Sequence, residues 1–199
     1  MNRMEENDNS NRVAVFVDLE NVLKMSKRFN EDLRTDFEGM IGNLVGERKL
    51  TGVYMFDSIR KDGSCSVFHD MLRGKGFTVI ARMSYDPETG TQKEVDVALA
   101  CEVLSQAYTN SYDIAILVSG DRDFRPVIEQ IQALGKKAEV AGFSMSTSKV
   151  LSMSCDVFHN MDRVPLFYLA RRAVRRFEEF VSAFFAMSDA TATGMTPGC

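Results

Sequence analysis

The stretch IAILVSGDRDFRPVIEQIQALGKKAEVA, residues 114–141, holds a complete structural unit. Ile114 to Val118 is a short, wholly apolar, β-branched run of the length of a buried strand. Ser119-Gly120-Asp121 ends it with turn-forming residues. From Pro126 to Leu134 apolar residues return at helical spacing, with Pro126 in the first turn, Asp123 placed to cap it and Gly135 as the stop. Ala138 to Ala141 then opens a second apolar run. Strand, helix and strand in this order form a right-handed crossover between parallel strands, and strands apolar on both sides need cover on both faces.

The same alternation runs outward through the chain. Val13 to Val17, Val53 to Phe56 and Phe77 to Ala81 read as three further strands. Val22 to Val45, Cys65 to Arg73, Val95 to Tyr108 and Ser144 to Ser154 read as helices, and Gly74 and Gly76 close one of them before Phe77. The expected fold is an α/β protein, a three-layer α/β/α sandwich around a mainly parallel sheet of five strands, with scope for a sixth. Asp86-Pro87-Glu88-Thr89-Gly90 is a turn-rich loop leading into Lys93 and Asp96. Past the last βα unit, Leu166 to Met187 places Phe167, Val174, Phe177, Val181 and Phe184 at helical spacing and groups Arg171, Arg172, Arg175 and Arg176, which predicts an appended amphipathic helix. The expected divisions are a polar segment 1–11, a main domain 12–163, the added helix 164–187 and an Ala/Thr/Gly-rich tail 188–199.

Composition narrows the function. With 28 acidic against 24 basic residues the net charge is −4, which excludes coating nucleic acid by bulk charge but allows a local basic rim. The four cysteines, Cys65, Cys101, Cys155 and Cys199, form no CxxC pair and read as reduced thiols; with no secretory or membrane-spanning apolar stretch, the expectation is a cytoplasmic protein without a membrane partner. His69 and His159 have no Cys or His at zinc-ligand spacing and read as structural. The methionines read as core filler.

The chemistry is carried by acids placed at strand ends. Asp18 ends VAVFVD, Asp121 and Asp123 follow VSG, and Asp96 lies in KEVDVALA, an apolar run in which a carboxylate is costly to bury without a partner. Each acid alone is also an ordinary turn residue or helix cap. Together, at the carboxyl ends of neighbouring parallel strands, they form the oxygen-rich arrangement that Mg²⁺ or Mn²⁺ takes. Asn21 in the next helical turn orients Asp18 or caps the helix, and Glu20 is an outer acid or a first-turn residue favoured by the helix dipole. Ser119 and Gly120 let the backbone turn sharply and offer amide hydrogens near a phosphate. A polyanionic substrate needs cations at the rim, and Lys24, Arg60, Lys61, Arg122 and Arg125 follow strands or flank the acids.

FVDLEN at 16–21, KEVDVALACEVL at 93–104 and VSGDRDFRPVIEQIQALGKK at 118–137 together resemble the NYN branch of the PIN-like nuclease superfamily over roughly residues 12–160. The resemblance implies a PIN-like, Rossmann-like fold and metal-dependent cleavage of RNA. Asp18, Asp96, Asp121 and Asp123 carry over as metal-site acids, Asn21 and Lys93 as catalytic-site residues, and the products as a 5′-phosphate and a 3′-hydroxyl. Family members often have glycine after the first aspartate, where this chain has Leu19.

Two other readings stay open on the sequence. Asp18 with Glu20 and the later GDRD loosely resembles the haloacid dehalogenase phosphatases, with Asp18 as nucleophile, although that family typically has Asp where Glu20 stands. A non-catalytic RNA-binding or scaffold protein would place its function on the C-terminal helix, which is also the expected surface for a homodimer.

Overall fold

β1, Arg12–Asp18, organises the sheet because alternate residues of VAVFV feed separate cores on its two faces. The computed structural model describes residues 12–29, 33–59, 66–83, 93–163 and 167–169. In chain order the elements after β1 are α1 Leu19–Phe29, β2 Leu33–Thr35, α2 Phe37–Val45, β3 Lys49–Ile59, α3 Ser66–Gly74, β4 Thr78–Met83, α4 Lys93–Tyr108, β5 Ile114–Val118, α5 Arg125–Ala133, β6 Lys137–Gly142, α6 Lys149–Ser154, β7 Val157–Asn160 and β8 Phe167–Leu169.

Six strands form one sheet in the order β4-β3-β1-β5-β6-β7, and every neighbouring pair is parallel. Val13, Val15 and Val17 pack with Leu19, Val22 and Met25 of α1 and with Phe37, Met40, Ile41 and Leu44 of α2. Ala14 and Phe16 face the other way, onto Val95, Leu99 and Val103 of α4 and Val127, Ile128 and Ile131 of α5. This is the expected three-layer sandwich with six strands. Burying both faces makes the central strands read as unbroken apolar runs.

Three expectations need correction. The helix read over 22–45 is two helices separated by β2, and α2 has its own start, where Asp36 accepts a hydrogen bond from the Gly39 amide at 3.0 Å. The helix read over 144–154 begins only at Lys149. Before it, the Ser146 and Thr147 amides both bond to the Phe143 carbonyl, and the Ser148 amide bonds to that of Gly120 at 3.0 Å, so the hydroxyl-rich run forms a turn. The third correction is in the added helix. Its first residues, Phe167–Leu169, form β8, antiparallel to β2 with Thr35 opposite Phe167. Phe-Tyr-Leu suits a strand as well as a helix, and β2 supplies the backbone partner. The rest of that predicted helix, with its arginines, lies outside the described residues, as do 1–11, the loop at 86–90 and the tail.

Both histidines lie within hydrogen-bond distance of buried carboxylates. His69 Nε2 is 2.8 Å from Asp57 Oδ2 in a buried pair. Glu139, buried on β6, accepts from Arg48 Nη1 at 2.7 Å and meets His159 Nε2 at 2.7 Å. Arg48 also donates to the Leu44 and Val45 carbonyls, fastening the end of α2 to the sheet. Among the described residues no helix is long and apolar enough to cross a membrane, and Cys101 and Cys155 are free thiols.

Candidate active site

The strand order reverses at β1, which leads out to β3 and β4 on one side and neighbours β5 on the other. Ligands of open parallel sheets bind at such a switch point, outside the carboxyl ends of the strands. β1 ends in Asp18 and β5 runs into Ser119-Gly120-Asp121, so the parallel pairing delivers both acids to one edge.

A relay of hydrogen bonds fixes them. Asp18 Oδ1 accepts from the Asn21 amide at 3.1 Å, which makes Asp18 the cap of α1. Its Oδ2 accepts from the Ser119 hydroxyl at 3.0 Å. Ser119 Oγ in turn accepts from the Asp121 amide at 3.2 Å, and Asp121 Oδ1 accepts from the Asp123 amide at 3.0 Å. Asp18 is 7% exposed and Ser119 1%. Burial pushes the pKa of Asp18 up; the Asn21 and Ser119 hydrogen bonds oppose this, and the charges of Glu20 and Asp121 add to it.

α4 brings Asp96 from the opposite layer. Val95 and Leu99 bury against Phe16, which leaves Asp96 partly buried in the first turn. Desolvation raises its pKa from 3.8 to about 6, with Asp18, Asp121, Glu20 and Asp123 contributing repulsion in that order. Asp96 therefore feels the charges of Asp18, Asp121 and Asp123 across the switch point. Among the described residues, however, no three His, Cys, Asp or Glu side chains converge into a ready-made metal cage.

The remaining predicted residues separate into distinct places. Asp121, rather than Asp123, caps the following 3-10 turn at Arg122–Phe124, and Phe124 starts α5 without a side-chain cap. Asp123 points outward, 83% exposed, with Arg122 Nε 3.7 Å away. The Ser119 hydroxyl holds Asp18. Lys24 pairs with Glu20, and Arg125 pairs with Glu129 at 2.7 Å. Lys93 is the first residue of α4; its side chain, with Arg60 and Lys61, lies outside the described residues.

Sequence reasoning missed the wall beside the acids. A cleft of about 430 Å³ lies between Asn21, Asp121 and Arg122 on one side and the β6–α6 turn, Met145 to Ser148, on the other. Its signal was the hydroxyl-rich SMSTS placed directly after a strand, where ligand-binding loops of such sheets lie. A larger groove of about 650 Å³ runs between β4 and α4, lined by Ile59, Arg82, Cys101 and Glu102 among others, but none of the four acids contributes to it.

The NYN domain model matches residues 12–162. Among solved structures, the crystal structure of a protein of unknown function, VPA0982 from Vibrio parahaemolyticus RIMD 2210633, is similar with a TM-score of 0.70 and 27% identity, over 82% of this chain and 99% of that one. No curated protein matches the chain. The NYN match spans the whole six-stranded sheet and all four acids, so the domain carries a nuclease-like fold, and the chain belongs to the NYN domain family.

Proposed function

We propose that this protein is a metal-dependent ribonuclease that hydrolyses RNA phosphodiester bonds at the Asp18/Asp96/Asp121 cluster. The observation that carries the reading is the gathering of acids at the switch point: Asp18 and Asp121 are tied through Ser119, and Asp96 is raised to about 6 by desolvation first and by the charges of Asp18, Asp121, Glu20 and Asp123 second. Acids packed together in this way lower their energy when a cation sits among them. The donor set is all oxygen, the chemistry that Mg²⁺ or Mn²⁺ takes, and Asp18, Asp96 and Asp121, with Asp123 at the rim, are the residues that would hold the ion. Bound there, the ion supplies Lewis-acid polarisation of a phosphate oxygen and a lowered pKa for an attacking water.

The chain's own residues do the positioning. Ser119 and the Asn21 amide hold Asp18 in one rotamer, and Ser119 also fixes the turn that presents Asp121. Arg122, 77% exposed beside the cleft, faces the polyanion. The phosphatase alternative needs Asp18 as a free nucleophile. Here Asp18 is buried and both its oxygens accept hydrogen bonds, an arrangement suited to a fixed ligand rather than to attack.

The test is cleavage of a labelled, partly single-stranded RNA and its DNA analogue with Mn²⁺, Mg²⁺ or EDTA, comparing wild type with Asp121→Asn. Metal-dependent RNA cleavage lost in the variant supports the reading. Equal inactivity of both proteins with RNA binding retained moves the function to a binding module.

A further inference from the structure

The β6–α6 turn is built onto the catalytic turn more tightly than a connecting loop requires. A Cβ at Gly120 would come within 2.5 Å of the Ser146 carbonyl oxygen, so only glycine lets the two backbones approach this closely. The Ser148 amide bonds to the Gly120 carbonyl at 3.0 Å, and the Ser146 and Thr147 amides bond to Phe143. The turn is held at its far end as well, where the Ser144 amide donates to Asp162 Oδ1 at 3.3 Å. The cleft wall is therefore preformed.

Two features of that wall call for a ligand. The Ser146 hydroxyl is shielded from solvent and has no hydrogen-bond partner, although the residue lines the cleft. A buried hydroxyl without a partner is disfavoured, and rotation about its Cα–Cβ bond can offer it to a group entering the cleft without breaking any protein hydrogen bond. The Thr147 hydroxyl is likewise shielded and without a partner, but it packs over Gly142. At the lip, Met145 is 76% exposed, an adaptable apolar side chain presented to solvent beside Asp121 and Arg122. A cleft that combines an apolar shelf, a cation and an unpaired hydroxyl, within about 430 Å³, has the size and chemistry for one nucleotide.

We propose that this cleft is the subsite for the ribonucleotide next to the scissile phosphate, with Met145 under the base, Arg122 toward the backbone phosphate and Ser146 Oγ on the ribose 2′-hydroxyl. The 2′-hydroxyl both donates and accepts, and it is the group by which a protein tells RNA from DNA. The assignment rests on the nuclease reading for its phosphate, but the cleft can be tested without cleavage.

The experiment uses the full chain, labelled at its methionine methyls, titrated without metal with uridine 5′-monophosphate and with the 2′-deoxy compound, for wild type and Ser146→Ala. The expected result is a shift of the Met145 methyl that is several-fold weaker with the deoxynucleotide, and a ribose preference lost in Ser146→Ala. The variant's unfolding midpoint should be unchanged or higher, because it removes an unsatisfied group. A Met145 methyl that does not move, or one that responds equally to both nucleotides, overturns the assignment. In a parallel cleavage assay, Ser146→Ala should lower the preference for RNA over its DNA analogue about tenfold, the worth of one hydrogen bond. Cleavage with that preference intact would reject the subsite and leave the nuclease reading standing; a ribose-selective Met145 shift without any cleavage would do the reverse.

Discussion

Replacing Asp96 by asparagine should stabilise the metal-free protein, contrary to the usual effect of altering a partly buried side chain. In the fold Asp96 titrates at about 6 rather than 3.8, so between these values the folded state holds a proton that the unfolded chain has released. Stability then falls as pH rises through that window, and the full penalty is present above it. Two pK units correspond to about 3 kcal/mol. Because Asp96 is about half in contact with solvent, screening reduces this to about 1 kcal/mol. For a chain of this size that is a rise of roughly 2–4 °C in the melting midpoint of Asp96→Asn with EDTA at about pH 7.5. At about pH 5, inside that window, the difference should be smaller, and it should vanish only below about 3.8, where the acid is protonated in the folded and the unfolded chain alike. Millimolar Mn²⁺ should then reverse the order, raising the wild type more than the variant, because the ion relieves the repulsion that the variant already lacks. Calorimetry at two pH values with and without metal reads all of this. A variant less stable than wild type at about pH 7.5 in EDTA, or a difference that does not change with pH, would refute the electrostatic account of the site.

Three further outcomes follow from the same geometry. Ser119→Ala removes the hydroxyl shared by Asp18 and the Asp121 amide, and should lower stability by about 1–2 kcal/mol in urea melts while RNA cleavage falls more than tenfold with folding retained. Gly120→Ala forces a Cβ against the Ser146 carbonyl and should destabilise by about 1–3 kcal/mol, with altered amide shifts at both Gly120 and Ser146. Burial opposes ionisation of Glu139, but its hydrogen bonds with His159 and Arg48 outweigh this and hold its pKa below 4.5. Wild type should therefore lose the contribution of this pair as pH drops through the folded pKa, whereas Glu139→Gln should be destabilised near neutral pH and show a flatter acid limb in urea melts.

What was legible in the sequence was whatever burial on two faces imposes. Ile114–Val118 was delimited to the residue because a central parallel strand must be apolar throughout and its neighbours, Asp113 and Ser119, are polar. The place of Asp18 was legible for the same reason, since a carboxylate that ends such a run sits at the sheet edge, whereas Asp96, in the first turn of α4, stood out as an acid within an apolar helical run. Boundaries failed where local chemistry replaced periodicity. The break between α1 and α2 depends on Asp36 capping a new helix, and the late start of α6 depends on serines bonding to nearby backbone; apolar spacing senses neither. The Met145–Ser148 wall was missed because its partner, Gly120, is more than twenty residues earlier, and only the parallel pairing of β5 with β6 brings them together.

The site also shows why one acid can be fixed and another left responsive. Asp18 ends a central strand, caps α1 and accepts from Ser119, so backbone and side-chain donors together hold it in place at the bottom of the cluster. Asp96 approaches from the other layer on a helix packed through Val95 and Leu99, and its elevated pKa reflects burial first and the charges of neighbouring acids second. An acid so placed is poorly accommodated in the empty protein and well accommodated beside a divalent ion. On the metal-dependent reading proposed above, the cluster would convert part of the stability supplied by two apolar cores into affinity for a cation. Metal binding should accordingly strengthen as pH rises through about 6, where Asp96 gives up its proton. Manganese titrations followed by calorimetry on either side of that value would show it; affinity that does not vary with pH would place the ion away from Asp96.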